Sequence, residues 1–421
     1  MKENKKLKIK LKTTITLIVI LLIFIAVFAV LISKKEQKSG GIIFGNELGE
    51  QELDLSMKFL KLENNKKNMI FSPLSIKYAL KILNEGSVGN TKVQIENVLG
   101  KQNVTKYSNT SQVMSLANGV YIRDTFYKEV KEDYIKTLNE KYNAEINYDS
   151  FNNANNINNW IEEKTLGIIK NMLRDETVQN PDNKMILINA LAIDMEWEDS
   201  FDSKSTKGAD FYMEDGSTIN ATTMYLKTYS DSISYYKNRD ITALTMNLKS
   251  YYDTQLEFVA IMPDENLSDY IENFSTDKLD NIIEKSTLAS KTRNGVYILI
   301  PRFSIDYNLE LKNDLIELGI TDAFDEKLAD FSMISDRNLY VSDALHKANI
   351  DFTEKGIKAA ATTVIYMTCE ASIMEAKPVE ININKPFLYV IRDKNTGEIW
   401  FLGTVYEPNS WEDDKINYQY R

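Results

Sequence analysis

The stretch EKGIKAAATTVIYMTCEA, residues 354–371, has a composition that an ordinary helix or strand does not require. Three consecutive alanines follow Gly356 closely, and a settled core built from so many small side chains would contain voids. A segment that slides between two existing strands needs small inward side chains. It also needs no inward charge, because a buried unpaired charge would oppose its entry. The pattern alone leaves the ordinary strand and the sliding segment both open.

The strand period divides this stretch into an uncharged face and a charged face. The uncharged set consists of Ile357, Ala359, Ala361, Thr363, Ile365 and Met367. The other set includes Lys358, Ala360 and Thr362. Because only the second set carries a charge, the first set can face a core. Gly356 lets the backbone pivot immediately before both sets.

Two segments in the first half of the chain predict amphipathic helices. In FSPLSIKYALKIL, Ser72 is a suitable N-cap and Pro73 suits the first helical turn. In NINNWIEEKTLGIIKNML, five apolar residues recur at helical spacing. They are Ile157, Trp160, Ile161, Ile168 and Met172.

Strand patterns become frequent from the middle of the chain onward. Residues 185–193 and 256–262 are continuous apolar runs, typical of strands covered on both faces. Residues 296–303 alternate more clearly, and residues 387–405 predict a hairpin that turns at Asn395, Thr396 and Gly397. Helices early and strands late indicate an α+β fold class. No linker-like stretch interrupts the chain, so we expect one large domain.

The N-terminus predicts a membrane anchor. Residues 1–12 carry six lysines and one glutamate, and residues 13–33 are uncharged. About 21 such residues form about 30 Å of helix, which matches the hydrocarbon core of a bilayer. The lysines predict a cytoplasmic N-terminus and therefore a single-pass cell-membrane protein with an extracellular domain. A cleaved signal peptide is the alternative, although its apolar core is usually about 7–15 residues long.

Charge and residue inventory narrow the function classes. The first 35 residues contain eight lysines and one glutamate, a formal charge of +7. Since the whole chain has a formal net charge of −11, the remaining residues carry about −18. This acidity argues against nucleic acid as a partner. With only one cysteine, Cys369, and one histidine, His346, a zinc cluster or a Cys–His nucleophilic pair would require these two residues to meet. We therefore predict no catalytic residues, no metal and no cofactor.

Five ordered motifs resemble those of the serpin family. They are NMIFSPLSIKYALKILNEGSVGNTKVQIENVLG (68–100), NNWIEEKTLGII (158–169), NALAIDMEWEDSF (189–201), HKANIDFTEKGIKAAATT (346–363) and NKPFLYVIRDKNTGEIWFLGTVYEPN (384–409). The predicted organisation is a basic cytoplasmic segment (1–12), an anchor helix (13–33), a linker (34–45), a serpin domain (46–409) and a C-terminal tail (410–421). The tail runs past the usual end of the family. A composition rich in Lys, Ile and Asn behind such an anchor is typical of a bacterial surface protein.

The resemblance implies an α+β serpin fold, in which helices pack around a large central β-sheet and smaller sheets. A reactive-centre loop at about residues 354–378 would be exposed. A target serine or cysteine endopeptidase would cut this loop and form a covalent acyl complex, and the cut loop would then enter the main sheet as a new strand. Such a native state persists because its conversion is slow. A monomer is expected.

The resemblance also implies roles for individual residues. Glu354 and Gly356 would form the hinge. The inserting residues would be Ile357, Ala359, Ala360, Ala361, Thr362 and Thr363, followed inward by Ile365. The cluster at which the sheet opens would consist of Ser72, Ser75, Asn189, His346 and Trp197. His346 is expected to have a structural gating role rather than a catalytic one.

The reactive bond is predicted at Glu370–Ala371 by counting seventeen residues from Glu354. A loop shorter by one residue would place Cys369 before the cut instead. A glutamate at this position predicts a target protease with a basic pocket that accepts Glu. Two other function classes remain as alternatives. A non-inhibitory serpin that binds or scaffolds a partner is disfavoured by the small, uncharged inward set, and an enzyme on this scaffold lacks the residues for chemistry.

Overall fold

The computed structural model describes residues 54–100, 107, 113–357 and 377–419. Its helices are α1 (Leu55–Leu62), α2 (Pro73–Glu85), α3 (Gly89–Leu99), α4 (Glu132–Tyr142), α5 (Asn155–Lys164), α6 (Asp175–Gln179), α7 (Leu267–Glu272), α8 (Thr276–Glu284), α9 (Leu311–Glu317) and α10 (Trp411–Gln419). Six of these ten helices precede residue 180, as the sequence pattern predicts.

All of the described strands except β1 lie between residues 114 and 405. They are β1 (Met69–Phe71), β2 (Met114–Arg123), β3 (Glu145–Asp149), β4 (Met185–Ile193), β5 (Met195–Glu196), β6 (Lys207–Tyr212), β7 (Thr218–Thr228), β8 (Ile233–Lys237), β9 (Ile241–Asn247), β10 (Leu256–Pro263), β11 (Thr287–Leu288), β12 (Val296–Pro301), β13 (Phe303–Glu310), β14 (Leu345–Phe352), β15 (Gly356–Ile357), β16 (Val379–Asn382), β17 (Phe387–Asp393) and β18 (Ile399–Val405). The four strand patterns identified in the sequence are confirmed.

These strands form four sheets. A seven-stranded sheet has the order β1-β18-β17-β10-β9-β8-β11, and a four-stranded sheet has the order β16-β12-β7-β6. The two remaining sheets have the orders β13-β14-β15-β5 and β3-β2-β4. Only Asp194 separates β4 from β5 along the chain, so these last two sheets meet at that residue. The prediction of an α+β architecture is confirmed.

The predicted start of α2 is also confirmed. Ser72 is the N-cap, its hydroxyl accepts a hydrogen bond from the Ser75 backbone N–H at 3.1 Å, and Pro73 occupies the first turn. Proline suits this position because the first amide of a helix has no partner within the helix. The local sequence therefore fixes where α2 begins, and this end of the helix carries two of the predicted site residues.

The second predicted helix is shorter than its apolar pattern indicates. Helix α5 ends at Lys164, so Ile168 and Met172 lie outside it, and the prediction of one continuous stripe is wrong. The Thr165 hydroxyl donates to the Ile161 carbonyl and accepts from the Ile169 amide, at 2.7 and 3.0 Å. Leu166 and Gly167 then adopt φ values of 57° and 72°. A left-handed turn of this kind cannot continue a right-handed helix.

The core lies on both faces of the seven-stranded sheet. Alternate residues of β10 and β17, such as Val259 and Val390, pack against helices that include α1, α7 and α8. The opposite face, which includes Phe258 and Tyr389, packs against β12 to β15. The sheet is therefore buried on both sides, which explains the continuous apolar runs. Residues Leu53–Arg421 form one compact unit.

The localisation prediction requires a correction. Within the described residues, no helix is both long enough and apolar enough to span a membrane. This finding overturns the predicted cell-membrane localisation with a cytoplasmic N-terminus and an extracellular domain. The predicted anchor, residues 13–33, lies outside the described residues, as do the basic segment and the linker.

Candidate functional site

Two residues near the start of the predicted reactive-centre loop lie inside a sheet. Gly356 and Ile357 form the short strand β15, which stands between β14 and β5. Ile357 pairs antiparallel with Phe352 on one side and with Met195 on the other. The resemblance implied that Ile357 would enter the sheet only after loop insertion. In this structure its side chain is already buried, with 2% exposure.

Gly356 is required for a different reason from the one that the sequence indicated. We expected it to allow a backbone pivot, but its φ does not lie in the left-handed region. A Cβ atom at this position would instead overlap the Met195 carbonyl oxygen and lie 2.7 Å from the Glu196 Cα. The close approach of β5 therefore excludes any side chain at residue 356.

Glu354 is anchored just before β15. Its carboxylate accepts a hydrogen bond from the Thr206 hydroxyl at 2.8 Å, and the Arg302 guanidinium lies 4.0 Å from its second oxygen. Its backbone carbonyl accepts from the Phe201 amide at 2.8 Å. A buried carboxylate needs such partners, because burial of an unpaired charge is unfavourable. These contacts fix the residue from which the loop departs.

Trp197 contacts the same segment. Its indole N–H donates to the Thr353 carbonyl and its backbone N–H donates to the Lys355 carbonyl, both at 2.8 Å. The indole packs edge-on against Phe352 and Phe258, with ring centroids 5.2 and 5.8 Å apart. The structure therefore places Trp197 beside the hinge, the point at which the resemblance implies that insertion starts.

The edges of β4 and β14 have few strand partners. Among the described residues, β4 pairs only with β2, and β14 pairs with β13 and, at Phe352, with β15. Because β15 pairs with both β14 and β5, and β5 continues β4, these edges face each other. We call this pair of edges the β4–β14 junction. It provides backbone donors and acceptors for a further strand in the direction set by β15.

Four of the predicted cluster residues meet where α2 crosses the junction. The Ser72 backbone N–H donates to His346 Nε2 on β14 at 2.9 Å, and the Ser75 hydroxyl donates to the Asn189 side chain on β4. One helix end therefore holds both strands that border the junction. The short range of these bonds means that separating β4 from β14 would require at least one of them to break.

The network extends one residue beyond the prediction. The Asn189 amide donates to the Asn118 side-chain oxygen on β2 at 2.6 Å, and the Asn118 amide donates to the Tyr142 carbonyl at 2.8 Å. Sequence analysis missed Asn118, which is buried in the middle of β2 although it is polar. It also missed Thr206 and Arg302. Arg302 is the only charge in its strand motif, whereas nothing nearby in the sequence distinguishes Thr206.

His346 is held in its neutral form. Its Nε2 accepts a hydrogen bond, so that nitrogen carries no proton and the neutral ring is protonated at Nδ1. Complete burial lowers the pKa of His346 to about 4, because the charged ring would lose its hydration. A neutral imidazole fixed by a backbone amide serves as a structural acceptor at neutral pH.

Several predicted residues lie outside the described part of the chain. They are Ala359, Ala360, Ala361, Thr362, Thr363, Ile365, Cys369, Glu370 and Ala371. Within the described residues, no group of three or more His, Cys, Asp or Glu side chains is placed to hold a metal ion. The described part of the site therefore consists of the hinge, the junction and the polar cluster.

Comparison with known proteins identifies the family. The family model "Serpin (serine protease inhibitor)" matches residues 52–408. The chain is a serpin. An uncharacterised serpin-like protein of Methanosarcina acetivorans is 30% identical over 376 residues, which cover 84% of this chain and 85% of the relative. A leukocyte elastase inhibitor of Xenopus tropicalis is 28% identical over 377 residues, which cover 82% of this serpin and 95% of the relative.

A solved structure shows the same fold. The native-state crystal structure of tengpin, a thermophilic serpin, superposes with a TM-score of 0.71 at 27% identity. The match covers 88% of this chain and 98% of tengpin. The predicted family and serpin fold are thereby confirmed. Membership supports a function of the protease-inhibitor type in general.

Proposed function

We propose that this serpin irreversibly inhibits a serine or cysteine endopeptidase that cleaves after glutamate, by inserting its cut reactive-centre loop into the β4–β14 junction. The observation that carries the proposal is the position of β15. Gly356 and Ile357 already pair with β14 and β5, so the loop leaves the sheet in the register of a strand added between them. A loop that began outside the sheet would first have to find that register.

The sequence after β15 suits this path. If the strand period of Ile357 continues, then Ala359, Ala361, Thr363 and Ile365 enter on the same face as its buried side chain. All four are uncharged, and the first three are small, so no unpaired charge opposes entry. New backbone hydrogen bonds along β4 and β14, together with apolar burial, would favour the inserted state.

The covalent step uses the chemistry of the target protease. Its nucleophilic oxygen or sulfur attacks the carbonyl carbon of Glu370, the bond to the Ala371 nitrogen breaks, and that nitrogen leaves as an amine with the transferred proton. The ester or thioester that forms links the protease to residue 370. Insertion of residues 358–370 then carries the protease along the junction before water hydrolyses this link.

The experiment combines the full chain with a Glu-preferring serine endopeptidase and examines the products on a denaturing gel. We expect an adduct that survives SDS, and a released fragment that begins at Ala371. A fragment that begins at Glu370 would place the cut after Cys369 instead. Complete loop cleavage without an adduct would contradict inhibition and favour the non-inhibitory alternative.

A pair of substitutions tests insertion itself. Ala359→Arg places a charge on the inward face, and we expect the variant to be cleaved as a substrate with at least about tenfold less adduct. Ala360→Arg is the matched control, because it places the same charge on the face that already contains Lys358. Equal adduct formation by both variants would exclude the proposed strand register.

A further inference from the structure

The chain continues past the end of the family match. The serpin family model ends at residue 408, and residues 409–421 follow it. Nothing in the proposed function uses this C-terminal extension. In the structure its first residue, Asn409, makes three hydrogen bonds. The Asn409 N–H donates to the Arg302 carbonyl at 3.0 Å, and the Thr222 N–H donates to the Asn409 carbonyl at 2.9 Å. The Ser304 N–H donates to the Asn409 side-chain oxygen at 3.1 Å.

The extension then forms helix α10, which contacts β7 and β6 of the sheet β16-β12-β7-β6. Ser410 pairs with Ala221 of β7, and its hydroxyl accepts from the Glu412 N–H at 3.2 Å. The Trp411 indole lies against the backbone of Gly208 on β6. A Cβ atom at residue 208 would come within 2.8 Å of Trp411 Cδ1 and closer still to the Asn220 side-chain oxygen, so both side chains pack closely over this glycine.

The segments around Arg302 and Gly208, which contact the extension, also contact the hinge. Arg302 places its guanidinium 4.0 Å from the Glu354 carboxylate and 3.8 Å from that of Asp351. Thr206, which donates to Glu354, precedes Gly208 by only two residues. The extension therefore fixes the backbone of Arg302 directly, and it covers the start of the strand that follows Thr206.

We propose that residues 409–419 act as a positioning clamp for the hinge, holding Arg302 and Thr206 so that Glu354 keeps β15 in the sheet. Glu354 has 6% exposure and lies two residues before Gly356, so movement of its two side-chain partners displaces β15. The consequence for inhibition rests on the proposed function: a loosened hinge begins insertion out of register, and more of the acyl-enzyme is hydrolysed. The effect on β15 itself does not depend on inhibition.

Hydrogen exchange of the hinge tests the clamp directly. The full chain is compared with a chain that ends after Pro408, a chain that ends after Asn409, and the single variants Trp411→Ala and Trp411→Phe. We expect amides of residues 354–357 to exchange at least about tenfold faster after truncation at Pro408. Truncation after Asn409 and Trp411→Ala should give a smaller increase, and Trp411→Phe should restore most of the protection.

Two controls separate positioning from general stability. Glu412→Ala removes an exposed side chain of the same helix and should leave hinge exchange unchanged. Residues 387–393 of β17 should exchange at the same rate in every chain, because β17 belongs to a different sheet from β6 and β7, which the extension contacts. Equal acceleration in β17 and in the hinge would show a merely structural role, and unchanged hinge exchange would overturn the clamp. If the truncated chains do not fold, the two Trp411 variants decide the question.

The adduct assay on the same proteins distinguishes this inference from the proposed function. If no variant or parent forms an adduct but the truncations still accelerate hinge exchange, the clamp stands and the inhibitor proposal fails. If the parent forms an adduct and hinge exchange does not change, the inhibitor proposal stands and the clamp fails. If both proposals are right, variants with faster hydrogen exchange at the hinge should also yield a larger fraction of cleaved serpin that is not attached to the protease.

Discussion

The β17–β18 hairpin and the β4–β14 junction differ in how completely their backbone edges are paired. Strand β17 has partners on both sides, β10 and β18, and β18 also has β17 and β1. At the junction, β4 has a described partner only on the side of β2, and β14 has one on its inner side only at Phe352. The same chain therefore contains one sheet region whose strands are paired on both sides and one whose facing edges have no partner strand along most of their described length.

The side chains follow the same division. Both strands of the hairpin are buried throughout and contain large residues such as Trp400 and Tyr389. The junction is crossed by polar groups of Ser72, Ser75 and Asn189, and its bonds are few and directional. Apolar packing resists change over a broad area, whereas a few hydrogen bonds can break and re-form as a unit. We infer that the hairpin stabilises the fold and that the junction sets how easily the sheet opens.

Helix α2 joins the two regions. Its first turn contacts the junction through Ser72 and Ser75, while Lys77 forms a buried ion pair with Glu398 at the end of the hairpin, 2.6 Å apart. A shift of α2 large enough to open the junction would disturb this ion pair. The comparison can therefore be tested by changing one region at a time.

The largest expected effect is in the hairpin sheet. Arg392 lies opposite Glu257 on β10, and its guanidinium donates to that carboxylate at 2.7 Å and to Asp280 of α8 at 2.9 Å. Arg392→Ala would leave Glu257, which is 2% exposed, buried without its partner. We expect the free energy of unfolding to fall by about 3–5 kcal/mol, measured by urea denaturation.

The control for this prediction replaces both charges. The double variant Arg392→Met/Glu257→Leu leaves no unpaired charge and should lose far less stability than Arg392→Ala. Neither variant should accelerate hydrogen exchange of β15. Faster exchange there would mean that the hairpin and the junction are not separate in stability.

The next effect concerns the polar cluster and depends on pH. Since the pKa of His346 falls to about 4 in the fold from its usual 6.5, the unfolded chain binds a proton that the folded chain does not between these values. Stability from neutral His346 is thus complete above pH 6.5 and decreases as the pH falls to 4, by about 3 kcal/mol in total. His346→Gln keeps an acceptor for Ser72 but cannot titrate. Urea midpoints between pH 7.5 and 4.5 should fall more steeply for the parent than for this variant, and parallel curves would count against the assignment.

A smaller effect is expected at the hinge. Gly356→Ala forces a Cβ against Met195 and Glu196, so β15 should separate from β5 at a local free-energy change of about 1–3 kcal/mol. Hydrogen exchange of residues 356–357 should rise, while the melting temperature changes little. Gly216→Ala is the matched control: Gly216 has a φ of 85° with open space around it, so alanine there adds backbone strain without a clash. If the two variants showed the same hydrogen exchange at the hinge, the close approach of β5 would not be the reason for glycine at residue 356.

How much the sequence could predict depends on the range of the interactions. The start of α2 and the strands β4, β10, β17 and β18 follow from local caps and apolar runs, and the structure has them where the pattern placed them. The end of α5 was missed because the Thr165 hydroxyl and a left-handed Leu166 override a helical period that Ile168 and Met172 continue by chance. Local patterns do not report such a turn.

The site shows the same limit more clearly. The motifs pointed to Ser72, Ser75, Asn189 and His346, and the structure joins them in pairs across the junction. Thr206 was not predictable, because its only distinction is a hydrogen bond to Glu354, 148 residues away in the chain. Gly356 was predicted on a different ground from the one that the structure shows, since the clash that requires glycine involves β5, which is similarly remote in sequence.

The smallest expected effect lies near the junction, where α9 contacts β14. Burial raises the pKa of Asp314 on α9 to about 6, and the nearby carboxylates of Glu63 and Glu317 add to the shift. The folded chain therefore favours protonated Asp314, and the associated stability is present below about pH 3.8 and is lost as the pH rises through 6. Asp314→Asn should stabilise the protein at pH 7.5 by only about 0.5 kcal/mol, because the partly exposed carboxyl is screened by solvent. The gain should disappear near pH 4, whereas Glu317→Gln at an exposed position should show less dependence on pH. A gain that is constant between pH 4 and 7.5 would mean that repulsion between these carboxylates does not destabilise the start of β14. Opening of the junction would then depend on the hinge and the polar cluster alone.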